Sequence, residues 1–172
     1  MPVAAVVAKR ASLSHLARLW IGTLVANLVG GWVLMGVVSA GLPELHPYAL
    51  KLGEHFARQG ETTASFATAV LGGVVITLMT WMQQGELSTV GRLASAVMAG
   101  FLLAAGSLNH AIVASLEMFA ARQAGAPYGY GTWAAVAGWA IVGNAVGGMG
   151  LVTGLRLIQV GPRKIQEEID HR

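Results

Sequence analysis

Near the middle of its longest apolar stretch the chain carries Gly106-Ser107-Leu108-Asn109-His110, and His110 is the one ionisable residue that falls deep inside any apolar run. His15, His46, His55 and His171 lie in flanks or connections, and Glu117 lies nearer the end of its run. An ionisable group at depth in lipid is costly, so it marks a functional position by default. The alternative is a structural histidine bonded to a backbone carbonyl. Haem ligation would need a second deep histidine, which is missing, and the HExxH metal motif is absent. With 0 Cys there is no disulfide, thiolate metal site or cysteine nucleophile. The expectation is a chain with no catalytic residue, no metal and no cofactor.

Two more polar side chains sit in a repeated pattern. Ala26-Asn27-Leu28-Val29-Gly30-Gly31 recurs as Gly143-Asn144-Ala145-Val146-Gly147-Gly148. Small residues four apart let helices approach closely, and each asparagine brings a hydrogen-bonding amide into a bundle. The pattern reads either as two packing motifs or as a duplicated transporter in which each half gives one asparagine to a common pathway.

These groups must be positioned by elements that lipid tolerates. Of 172 residues, 55% are hydrophobic and 11% charged, with mean hydropathy +0.61, against about 25% charged in a soluble domain. So few charges cannot cover a water-exposed surface. The 23 Gly follow no G-X-Y period, which excludes collagen. The pI of about 9.7 reflects a net charge of only +3, without the basic and aromatic patch that binds nucleic acid.

A helix needs roughly 20 apolar residues to cross a bilayer. Four stretches qualify: 16–40, 63–81, 93–121 and 132–158. They form a single all-α membrane domain over 1–172, with a lead-in at 1–15 and a tail at 161–172. Gly41-Leu42-Pro43, Gln83-Gln84-Gly85, Gln123-Ala124-Gly125 with Pro127, and Gly161-Pro162 are the stops. Between the first two spans, Leu45, Ala49, Leu52 and Phe56 recur at helical spacing opposite Lys51, Glu54 and Arg58. That pattern suits a helix in the membrane interface or a soluble linker helix.

The third span is too long for one straight crossing. Its 29 or so residues would reach about 43 Å as a helix, against a hydrocarbon core near 30 Å. Gly, Ser and Asn near its middle favour two half-helices that meet in a loop at 106–109 over a single tilted helix, because polar backbone at that depth must line a cavity. Half-helix N-termini carry partial positive charge suited to a small anion.

Lys9, Arg10, Arg18, Arg92, Arg156, Arg163, Lys164 and Arg172 fall on one side of four spans, and Lys51, Arg58 and Arg122 on the other. The positive-inside rule places both termini in the cytoplasm. Lys9 and Arg10 follow the short apolar run at 3–8, so no secretory signal is read there.

Taken together, these residues resemble the formate/nitrite transporter family of pentameric anion channels. The third span of that family carries an asparagine followed by small residues, like Asn27 to Gly31, and its sixth closes on a similar segment, like Asn144 to Gly148. Its fifth span breaks around a central histidine, as Gly106 to His110 suggests here. Asn109 stands where the better-known formate channels have Glu. Their asparagine one turn later is Ala114, with Ser115 adjacent, so the chain is similar to a less characterised branch.

The resemblance implies passage of small monovalent anions or their neutral acids through a pore in each protomer, with formate, nitrite, hydrosulfide, acetate and lactate as candidates. It implies His110, Asn109, Ser107, Asn27 and Asn144 along the substrate path, with Gly106, Gly30, Gly31, Gly147 and Gly148 at the helix break and close contacts. It further implies a homopentamer in a bacterial inner membrane, with lipid as its surroundings. The four spans correspond to the third to sixth of a six-span inverted-repeat channel, so part of a longer chain is expected. The competing readings are a non-transporting membrane scaffold or half-channel and, less favoured, a membrane enzyme.

Overall fold

Ser12 begins the first described helix: its side chain accepts from the His15 N–H, capping one of the helix's first orphan donors. The computed structural model describes residues 12–170. The first eleven residues of the expected lead-in, and the last two of the tail, lie outside that range. The described elements are α1 (Leu13–Gly41), a 3-10 turn (Pro43–Leu45), α2 (His46–Gln59), α3 (Thr63–Gly85), α4 (Thr89–Ala105), α5 (Ala111–Gln123) and α6 (Tyr130–Asp170). Among the described residues every element is helical, as an all-α membrane protein requires.

Among the described residues three helices are long and apolar enough to cross a membrane: Leu13–Gly41, Thr63–Gly85 and Tyr130–Leu151. The expected third span is in two pieces. At 17 residues α4 reaches about 26 Å, and at 13 residues α5 about 20 Å, so neither matches the roughly 30 Å hydrocarbon core alone. The amphipathic stretch after the first span is helical, as its spacing predicts. The helical backbone of α6 continues through Gly161-Pro162, where the sequence suggests a stop.

The chain divides into two compact units. One comprises the described residues up to His55 together with Ile112–Gly129. In it, Gly31 is the one buried residue of α1, and it leaves room for the Leu116 side chain of α5. The Gln123 amide donates to the Trp32 carbonyl oxygen at 3.0 Å. A Cβ on Gly53 would meet the Ala121 methyl and would lie 2.6 Å from the Tyr128 hydroxyl oxygen. That hydroxyl donates to the Met118 carbonyl at 2.8 Å, tying the loop after α5 back onto the helix. Most of α1 is exposed, including Ile21, Val29, Val33 and Val37. Such a surface suits lipid or other helices and not water.

The second unit comprises Phe56–Ala111 and the described residues from Tyr130 onward. Its centre is the crossing of α3 and α6, made possible by absent side chains. A Cβ on Gly73 would lie 2.7 Å from the Asn144 Cα, one on Gly143 2.5 Å from the Ala69 Cβ, and one on Gly147 2.8 Å from the Val70 carbonyl carbon. Backbone meets backbone here as the small-residue spacing predicts. At the start of α3, Thr62 and Ser65 form a reciprocal capping box. The Trp139 indole N–H donates to the Thr62 carbonyl at 3.1 Å, and its ring packs on Phe66 at 5.1 Å between centroids.

Candidate functional site

Helix α4 ends in a cap built by backbone alone. The Leu108 N–H donates to the Leu103 carbonyl at 2.9 Å and the Ser107 N–H to the Ala104 carbonyl at 3.2 Å, the paired bonds of a Schellman ending. That ending requires a left-handed residue just past the cap, and Ser107 fills it with φ 45°. A position that ordinarily favours glycine is thus held by serine, at a cost of about 1–2 kcal/mol. Gly106 itself is right-handed, at φ −86°. Its lack of a side chain matters instead for clearance, since a Cβ there would lie 3.1 Å from the Leu108 side chain.

The chain then turns sharply. The His110 N–H donates to the Leu108 carbonyl at 2.9 Å, closing a three-residue turn centred on Asn109. Helix α5 starts at the next residue, Ala111.

Asn144 holds this turn in place. Its Oδ1 accepts from the Ala111 N–H at 2.9 Å, and its Nδ2 donates to the Asn109 carbonyl at 3.0 Å and to the Ala69 carbonyl at 2.7 Å. One amide therefore clamps the start of α5, the turn before it and the middle of α3. Gly72 borders the clamp: a Cβ on it would stand in ordinary van der Waals contact, 3.4 Å from the Asn109 carbonyl oxygen and 3.5 Å from Asn144 Nδ2.

Around this clamp the structure gathers Asn109, His110 and Asn144, with Gly147 and Gly148 in the supporting crossing. Asn109 is 1% exposed. Neither Nδ2 nor Oδ1 of Asn109 has a hydrogen-bond partner among the described residues, and neither does Nδ1 of the half-buried His110. Ser107 is exposed two residues away. The site thus offers uncharged hydrogen-bonding atoms beside a helix N-terminus, chemistry that can bind and pass a small polar solute. Among these side chains none is arranged as a nucleophile with its base.

Asn27, by contrast, belongs to the other unit and stays exposed, with its amide donating to the Thr23 carbonyl of its own helix at 2.8 Å. Gly30 has nothing near it, whereas Gly31 receives Leu116. The two copies of the sequence repeat therefore do different things within their units. Sequence reasoning did not find the Ala69 carbonyl as the seat for Asn144, nor Ser107 as a left-handed residue. The Gly72-Gly73 pair was the available signal for the first.

A family model described as formate/nitrite transporter matches residues 1–158. The chain belongs to the formate/nitrite transporter family. No curated protein and no solved structure matches it. Membership agrees with the apolar helices in making this a membrane protein of a transporter family, and it implies movement of small anions or weak acids. The broken helix, its histidine and the asparagine clamp are then the features of this formate/nitrite transporter family member that call for a functional account.

Proposed function

We propose that this protein passes small monovalent anions or their neutral acids, formate-like or nitrite-like, through a pore in each protomer beside the broken helix of α4 and α5. A dehydrated monovalent anion is costly in an apolar passage, whereas its neutral acid is far less so. His110 bonds the solute or exchanges its proton, Asn109 and Ser107 line the passage, and Asn144 keeps the turn in register. Asn27, exposed on α1, lies along the solute path in the other half of the repeat. Protomers assemble as a pentamer in a bacterial inner membrane with both termini cytoplasmic, consistent with eight of the 11 Lys and Arg lying on one side of four spans.

The observation that carries this reading is the clamped turn itself. Asn144 satisfies the backbone at 109 and 111, while Asn109 and His110 Nδ1 keep polar atoms unbonded to other described protein groups. Buried polar atoms are ordinarily bonded, so such a cluster suits a ligand.

The test is His110→Phe in vesicles loaded with a pH-sensitive dye. Formate-driven pH change should slow or shift in its pH dependence, with assembled protein nearly unchanged. The exposed His15→Phe should have little effect. If His110→Phe lowers assembly and leaves flux per assembled protein intact, His110 is structural and the proposed passage is wrong.

A further inference from the structure

The Asn109 backbone is engaged, with its carbonyl accepting from Asn144 and its turn closed by the His110 N–H, yet its side-chain amide is buried with both polar atoms unpartnered among the described residues. Buried amides with no partner are rare and destabilising. The clamp gives this one a fixed position, and Gly106 and Ser107, in the same turn, are exposed.

The chemistry of a primary amide narrows what fits. It presents an N–H donor and a C=O acceptor side by side with no net charge. A solute that satisfies both at once carries an acceptor and a donor on neighbouring atoms in the same relation, the O=X–OH group of a carboxylic or nitrous acid. A carboxylate or nitrite ion presents acceptors only, and would set a negative oxygen against Asn109 Oδ1. Hydrogen sulfide has a single weakly bonding atom and cannot bridge the pair.

We infer that Asn109 determines specificity, pairing through two antiparallel hydrogen bonds with the neutral O=X–OH form of the solute and so favouring monocarboxylic and nitrous acids over hydrogen sulfide. Asn109 Nδ2 donates to the acid's double-bonded oxygen, and the acid's hydroxyl donates to Asn109 Oδ1. No bond breaks and no proton is transferred in the pairing. The inference rests on the transport reading above and adds the form and class of solute.

The test compares formate, nitrite and hydrosulfide uptake into vesicles holding the full chain, with the rates of protein-free vesicles subtracted. Asn109→Leu removes both hydrogen bonds, and Asn109→Asp keeps the shape but, as a carboxylate, loses the donor. Each should lower formate and nitrite uptake by about tenfold or more, while hydrosulfide uptake changes by less than about twofold. Equal loss of all three solutes, or loss of none, overturns the inference. If neither variant assembles, the amide is a structural group and the inference also fails. Wild-type vesicles that carry none of the three above background would instead refute the transport reading itself, a result separate from a change in ratio.

Discussion

Replacing Asn144 by alanine should loosen the turn at 106–111 while sparing the helix crossing behind it. Three hydrogen bonds disappear: those with the Ala111 N–H, the Asn109 carbonyl and the Ala69 carbonyl. The losses are unequal. Ala69 lies inside α3, where its carbonyl retains its helical partner, so it gives up only a second bond. The Ala111 N–H is among the first donors of α5, and intrahelical bonds cannot replace its partner. Hydrogen bonds between membrane helices average about 0.6 kcal/mol, and bonds in soluble proteins about 1 kcal/mol. Three of them make about 2–3 kcal/mol, or roughly a 30- to 150-fold rise in the population of the opened turn. Hydrogen exchange in nanodiscs should read this as faster exchange at His110 and Ala111 by about that factor, with α3 and α6 protected near the Gly73 crossing. Asn27→Ala is the control, because that amide bonds only to its own helix. A change below about threefold at Ala111, or equal acceleration in the Asn27 variant, would refute the clamp.

Other outcomes follow from the same geometry. Gly73→Val should destabilise the α3–α6 crossing by several kcal/mol and lower the thermal midpoint in detergent, whereas Gly30→Ala, with nothing within 4 Å of its added methyl, should leave it unchanged. Ser107→Gly should raise local stability by up to about 1–2 kcal/mol, read as slower exchange in 106–110, because glycine accepts the left-handed backbone that Ser107 holds at φ 45°. Tyr128, outside the spans, has its phenol pushed up to about 12 by burial and by Glu54, with Arg122 opposing. Its contribution to stability is therefore complete below the ordinary phenol range near 10, and is lost as pH rises from there through about 12. Ultraviolet titration should show a late phenolate that is absent in Tyr128→Phe, and its ionisation near 10 would count against the buried Tyr128–Met118 bond.

Composition and periodicity alone determined that this is an all-helical membrane protein, because 11% charge cannot clothe 172 residues in water and lipid leaves no other use for long apolar runs. They also located the broken span: a mostly apolar stretch of 29 residues overruns the bilayer, and Gly106, Ser107 and Asn109 are poor residues for the interior of a helix. His110 was legible as a candidate from its place in the apolar run, and it lies half-buried beside the turn. What the two asparagines do was not legible, since Asn27 and Asn144 sit in nearly identical local sequences. Only tertiary structure separates them, because a hydrogen bond depends on which partner chemistry packs within reach. Asn144 meets the Ala111 N–H and two carbonyls across the Gly72-Gly73 crossing, while Asn27 falls back on its own helix. The same holds for Ser107, whose left-handed backbone is imposed by the bonds that end α4 and not by its own preference.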